Sequence, residues 1–215
     1  MSKIKACIFD LDGVIVDTAK YHYLAWKRLA NEMGFDLTVE QNEQLKGISR
    51  MASLDILLGI GKKVFDDGEK QALASKKNNW YREYILQMEP DEIFPGVIEY
   101  LNAVKGHGMK TAIGSASKNA MTILEQLGIV DYFDSIIDGN KAKKAKPDPE
   151  VFVKAAIELG IAPQNCVVFE DAKAGVEAAK NGGMYCVGVG SPEILGMADI
   201  VVSGLHEMNI AMLDF

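Results

Sequence analysis

From Pro95 onward the chain alternates short apolar runs with helix-patterned segments, and this alternation restricts the fold more than any other feature. Lys110 to Gly114, Ser135 to Ile137, Cys166 to Phe169, Tyr185 to Val189 and Asp199 to Val202 read as strands. Between them, Val97 to Lys105, Asn119 to Leu127, Pro149 to Leu159 and Ala172 to Asn181 read as helices. Gly128, Gly160 and Gly182 stand where the last three should stop. Such a succession builds a parallel sheet with helices on both faces. An earlier apolar run, Ala6 to Phe9, adds a strand buried on both sides. Between Tyr21 and Met88 the pattern changes. Tyr21 to Met33, Val39 to Lys46, Ala52 to Leu58 and Glu69 to Met88 read as helices, with no strand signal among them. The expected fold is therefore α/β: a Rossmann-like parallel sheet from residues 1–16 and 90–215, carrying an inserted helical subdomain over 17–89. The linkers fall near Val16–Asp17 and Glu89–Phe94.

Composition narrows the function. A formal net charge of −7 over 215 residues argues against a nucleic-acid partner, which needs a positive surface. Cys7, Cys166 and Cys186 each lie in an apolar run, and an odd number of cysteines gives no disulfide framework. The first apolar run is too short for a signal peptide and ends in acids. No stretch approaches the ~18 apolar residues that would span a membrane. The expectation is a cytoplasmic protein, taken to be a monomer.

Ligands of open parallel sheets bind beyond the carboxyl ends of the strands, so the polar residues there carry the argument. Asp10 and Asp12 follow the first strand, and Gly13 permits a sharp turn after them. In extended chain, residues two apart face the same way, so both carboxylates meet one pocket while Leu11 turns into the core. Two such charges about 4 Å apart repel by roughly 4 kcal/mol at an effective dielectric near 20. A hard divalent cation relieves that repulsion and brings phosphate with it; a polar turn with one acid capping the next helix is the plainer alternative. Ser115 to Asn119 leaves a strand and enters a helix, either offering hydroxyls and N–H groups to a phosphate or using Ser115 or Ser117 as a helix cap. Lys146, before two prolines, is a candidate cation or one of several solvated lysines. Glu170 and Asp171 end an apolar strand, as metal-ligating acids or with Asp171 as a cap.

The string Asp-x-Asp-Gly-x-x-x-Asp-Thr over Asp10 to Thr18, Ser115, Lys146-Pro147 and Glu170-Asp171, in this order, resembles the motifs of the haloacid dehalogenase (HAD) superfamily of phosphotransferases. The resemblance implies Asp10 as the nucleophile that accepts a phosphoryl group and Asp12 as general acid/base. It implies Mg2+ held by Asp10, the Asp12 carbonyl, Glu170 and Asp171, with Ser115 and Lys146 on the transferring phosphate. Within the superfamily, the chain resembles the β-phosphoglucomutase family along nearly its whole length. His22, Trp26, the Lys-Gly-x-Ser-Arg loop (Lys46, Gly47, Ser49, Arg50), Lys77-Asn78 and the segment Ser115, Ala116, Ser117, Lys118, Asn119 carry that likeness. It implies that the loop grips a sugar phosphate and that Arg50, Ser117 and Asn119 meet the phosphate not being transferred. It further implies that Lys77 reaches the sugar and that His22 supports the acid/base. Thr18 completes the substrate-binding set. The implied reaction interconverts β-D-glucose 1-phosphate and glucose 6-phosphate through an aspartyl phosphate and a 1,6-bisphosphate. A sugar-phosphate phosphatase is the alternative with water as acceptor. A response-regulator receiver also phosphorylates an Asp, but after its third strand and without an inserted helical unit. Three positions depart from the family pattern: Gly114 before Ser115, the lysine-rich stretch Asn140 to Ala145, and Ala172 after the acid pair.

Overall fold

The computed structural model describes residues 4–45 and 48–214. The chain divides into two compact units, Thr18–Met88 and Met1–Asp17 with Glu89–Phe215.

The first unit is helical: α1 (Ala19–Glu32), α2 (Val39–Asn42), α3 (Arg50–Ile60) and α4 (Asp67–Ile85). Its core is Ala25, Leu29, Leu54, Leu57, Tyr81 and Ile85, all fully buried. The helix starts follow from side-chain caps. α3 begins at Arg50, two residues before the expected Ala52, because the Ser49 hydroxyl accepts the Ala52 N–H at 3.2 Å. α4 begins with a reciprocal box: the Asp66 carboxylate accepts the Glu69 N–H and the Glu69 carboxylate accepts the Asp66 N–H, each at 2.9 Å. α2 ends early, its chain tightening into a 3-10 turn over Glu43–Leu45.

In the second unit six strands, counted among the described residues, form one wholly parallel sheet. They are β1 (Ala6–Phe9), β2 (Lys110–Gly114), β3 (Ser135–Ile137), β4 (Cys166–Glu170), β5 (Tyr185–Val189) and β6 (Ile200–Val202), in the order β3-β2-β1-β4-β5-β6. The order reverses at β1, so the crevice beyond its carboxyl end is where such a sheet binds ligands. The helices are α5 (Val97–Gly106), α6 (Ala120–Gln126), α7 (Glu150–Leu159), α8 (Lys173–Asn181) and the short α9 (Pro192–Leu195), which no sequence pattern announces. Among the described residues no helix is long and apolar enough to cross a membrane.

The two faces of the sheet are packed differently. Ala6, Ile8, Ala112, Cys166 and Val168 face α7 and α8 in one buried cluster with Phe152. The alternate residues Phe9 and Phe169 turn the other way, stacked at 4.6 Å, with Tyr100 of α5 set edge-on to both. Gly114 lies on the first face. A Cβ there would stand 2.7 Å from the Phe152 ring and 3.2 Å from Ile8, so packing under β2 explains the glycine before Ser115.

The Tyr100 hydroxyl is buried without a hydrogen-bond partner among the described residues. Burial, and then the neighbouring Cys7, push its pKa above the ordinary phenol value. An unmade hydrogen bond of this kind costs about 1–3 kcal/mol. Tyr100→Phe keeps the ring contacts and removes the orphaned group. We expect the urea midpoint to rise, by an amount equivalent to roughly 1 kcal/mol, with an unchanged m value. A fall of similar size would mean that the hydroxyl is paired.

Candidate active site

β1 sets the site. Phe9 lies level with Ile113 of β2 and Phe169 of β4, so the residues that follow, Asp10 and Glu170, both turn to the α7–α8 face. Asp10 continues the ladder by one bond, its N–H donating to the Phe169 carbonyl at 2.9 Å. The chain then coils. Leu11 is fully buried, its carbonyl accepts the Ile15 N–H at 2.9 Å, and the Gly13 N–H donates to the Val16 carbonyl at 2.9 Å. Gly13 has φ +80°, and a Cβ on it would land 2.0 Å from the Asp171 carboxylate. Glycine is thus required twice over, for its backbone angle and for the close approach of Asp171.

Asp10, Glu170 and Asp171 each bring a carboxylate oxygen within 4.8 Å of the others. Asp12 is outside that side-chain group. Its charge still acts on Asp171, after burial and Asp10 and against Lys146, and the carboxyl of Asp171 is lifted to about 7. Glu170 is buried, and burial with the Asp10 charge raises its pKa to about 8 despite the neighbouring lysine. Its carboxyl group rests on α8 where a Cβ at Gly175 would lie 2.0 Å from it. A cation, Lys146, stands among them, its Nζ 3.0 Å from Asp10 and 2.8 Å from Glu170. Burial opposes its charge, but the two carboxylates more than reverse this, so its pKa lies above the ordinary lysine value. One ammonium stands against three converging acids, and burial together with their mutual repulsion raises the pKa values of Glu170 and Asp171. Three hard oxygen donors in that condition fit a divalent cation.

Ser115 is fully buried and follows β2, its N–H donating to the Ile137 carbonyl at 2.9 Å. Neither serine caps α6. Instead the Ser115 hydroxyl accepts the Ser117 N–H at 3.0 Å, and the Ser117 hydroxyl accepts the Asn119 N–H at 3.2 Å. Asn119 takes the N-cap position, Ala116 and Lys118 are exposed, and the segment forms two successive hydroxyl turns at a strand end. Asp171 does not cap α8 either. Ala172 is the N-cap, and its N–H is taken by Glu170 Oε1 at 3.2 Å, a second restraint on that carboxylate. Lys146 lies upstream of its helix, which starts at Glu150 after Pro149 rather than at Pro149.

The helical unit holds a second group of the named residues. Lys77 of α4 is buried, with its Nζ 2.7 Å from His22 Nδ1, 4.4 Å from the Trp26 ring centre and 5.0 Å from that of Tyr81. His22 stacks on Tyr81 at 4.0 Å. Burial, reinforced by Arg50, holds the Lys77 pKa well below the ordinary value. Burial, Lys77 and Arg50 do the same for His22. The unit therefore sets Lys77 and His22 together against Trp26 and Tyr81, with the Arg50 charge acting on both. Ser49 caps α3, and Thr18 sits at the N-cap position of α1. Lys46 and Gly47 lie outside the described residues. Tyr81 and Gly175 escaped the sequence reading. For Tyr81 the signal was present: Lys77 and Tyr81 on α4, like His22 and Trp26 on α1, are four apart and share a face.

Strand-end acids, a lysine bridging two of them and a hydroxyl turn at the end of the neighbouring strand form one polar cluster at the carboxyl edge of the sheet. The chain belongs to the haloacid dehalogenase-like hydrolase family, whose family model matches residues 4–183. It is 41% identical over 212 residues to the beta-phosphoglucomutase of Bacillus subtilis (strain 168), covering 98% of this chain and 94% of that protein. A crystal structure of beta-phosphoglucomutase from Clostridium difficile matches it with a TM-score of 0.90 at 46% identity, over 98% of this chain and 95% of the other. The phosphorylated carbohydrates phosphatase of Thermotoga maritima is 32% identical over 184 residues, 84% of this chain and 82% of that protein.

Proposed function

We propose that this protein is a Mg2+-dependent phosphomutase that interconverts β-D-glucose 1-phosphate and glucose 6-phosphate. The observation that carries the reading is the bridge of Lys146 between Asp10 and Glu170 at the carboxyl end of β1. It turns a strand-end carboxylate into a nucleophile held beside fixed positive charge, and phosphoryl transfer needs alignment and charge neutralisation above all.

In this reading Asp10 carries the phosphoryl group. Its carboxylate oxygen forms the new P–O bond as the bond to the sugar oxygen breaks, and Asp12 delivers the proton to that oxygen. In the other half-reaction Asp12 removes the proton from the accepting sugar hydroxyl, which takes the phosphoryl group from Asp10. The intermediate is β-glucose 1,6-bisphosphate, which must turn end for end between the halves. Mg2+, held by Asp10, Glu170, Asp171 and the Asp12 carbonyl, would neutralise charge on the transferring phosphoryl oxygens. Lys146 and Ser115 hold that phosphate. Ser117 and Asn119 take the other; in the helical unit Arg50 is a separate candidate for a substrate phosphate, and Lys77, with His22 beside it, for the sugar.

Phosphorus NMR of the protein with β-glucose 1-phosphate, Mg2+ and a trace of bisphosphate tests this. We expect the 6-phosphate resonance to grow while inorganic phosphate grows far more slowly. Inorganic phosphate without the isomer would make the protein a phosphatase.

A further inference from the structure

The lysine-rich stretch after β3 finds a role in what its first residues touch. Asp138 is buried, and its Oδ1 accepts the N–H groups of Asn140 at 3.0 Å and Lys141 at 3.1 Å. The Asn140 side-chain amide uses both hydrogens, one to Asp138 Oδ2 at 2.7 Å and one to the Lys118 carbonyl at 3.0 Å. One residue back, the Gly139 N–H donates to the Ser117 carbonyl at 3.1 Å, and a Cβ on Gly139 would stand 2.3 Å from the Ala116 carbonyl oxygen. Gly139 and Asn140 thus hold the carbonyls of Ser117 and Lys118 from behind, with Gly139 packed close against the Ala116 carbonyl. The rest of the stretch is tied down on its way to Lys146. Lys141 pairs with Glu158 and Lys144 with Asp148, each at 3.3 Å, while Glu150 accepts the N–H groups of Lys143 at 3.0 Å and Lys144 at 2.7 Å.

We infer that Asn140, with Gly139 behind it, is a positioning residue for the Ser117–Asn119 arm of the phosphate-binding turn. This rests on the proposed function in assigning that arm to the phosphate that is not being transferred. The side chain of Asn140 is exposed and touches no reacting group; it acts by fixing the Lys118 carbonyl, which sets the direction of the flanking Ser117 and Asn119. Ser115 is held independently, by its own bond to Ile137. Loss of Asn140 should therefore disturb recognition of a substrate's second phosphate and leave the chemistry at Asp10 intact.

The test uses Asn140→Ala, the isosteric Asn140→Asp and Gly139→Ala in the full chain. In the unliganded protein, amide hydrogen exchange at Ser117, Asn119 and Gly139 should quicken about tenfold or more in each variant, with the β1 amides unaffected. With β-glucose 1-phosphate, KM should rise about tenfold. Phosphorylation of Asp10 by acetyl phosphate, which has neither sugar nor second phosphate, should change by less than about twofold. Asn140→Asp should be at least as damaging as Asn140→Ala, because it keeps the shape, loses the donor and sets a carboxylate against Asp138 and the Lys118 carbonyl. Wild-type exchange and KM in Asn140→Asp would overturn the inference, as would an equal loss in sugar-phosphate turnover and acetyl-phosphate reactivity. Altered exchange together with a wild type that makes no glucose 6-phosphate would leave the brace standing and remove the mutase reading instead.

Discussion

Asp10→Asn should lose turnover by on the order of 10⁴-fold or more, the scale on which removal of a nucleophile disables a concerted site, while the protein folds as before. The fold tolerates the change because loss of the Asp10–Lys146 pair is offset by relief of repulsion among the acids. The Asp10 charge raises the pKa values of both Glu170 and Asp171, so neutralising it relieves repulsion among three acids. The backbone bond from Asp10 to Phe169 does not involve the side chain and survives. Asp10→Ala should give the same loss of turnover and a thermal midpoint no lower than that of the Asn variant. Sugar phosphate turnover within tenfold of wild type in Asp10→Asn would assign the nucleophile to another residue.

The second large effect is at Lys146. Its ammonium is the positive group shared by Asp10 and Glu170, and its side chain is only 12% exposed. In Lys146→Ala the phosphoryl group loses a fixed positive charge in a shielded site, which costs roughly 10²–10³-fold in kcat. Stability should fall as well. Breaking a buried ion pair from one side costs about 3–5 kcal/mol, reduced here because Glu170, already lifted to about 8, can take up a proton instead. The sign distinguishes the two carboxylate environments. Losing Lys146 removes the influence that lowers the Glu170 pKa, so the destabilisation should be larger at pH 8, where the wild-type carboxyl has begun to ionise and the variant's has not, than at pH 5, where both are protonated. Chemical denaturation at the two pH values measures it. Lys146→Arg should recover the stability but only part of kcat, since a planar fork does not reproduce a compact ammonium between two carboxylates.

The sheet and the strand-end residues were legible in the sequence because each rests on local information. A run of four apolar residues makes β1, and acids directly after it stand at the sheet's carboxyl edge. Helix starts were less legible, since caps decide them: Ser49 moves α3 back to Arg50, and Asp66 with Glu69 moves α4 back to Asp67. Competition between neighbouring side chains also hid which residue caps α8. Asp171 was a reasonable candidate, but Glu170 takes the Ala172 N–H and Asp171 stays with the acid cluster. The resemblance gave Lys77 a role at the sugar, but its burial was not legible from local sequence. A lysine in a polar helix reads as solvated until α1 and α4 pack and set Trp26, His22 and Tyr81 around it. The stretch from Asn140 to Ala145 looked like a departure from the family pattern. The contact of Asn140 to Lys118, and those of Gly139 just before it to Ala116 and Ser117, join segments more than twenty residues apart, and no local pattern reveals such a pairing.

Trapping the covalent phosphoenzyme tests the central claim most directly. The protein is quenched during turnover with β-glucose 1,6-bisphosphate, the acyl phosphate is reduced with borohydride, and the peptide spanning β1 is sequenced by mass spectrometry. Homoserine at position 10, absent from Asp10→Asn, is the expected result. Active protein with an unmodified Asp10, or with the label on Asp12 or any other residue, would contradict the account.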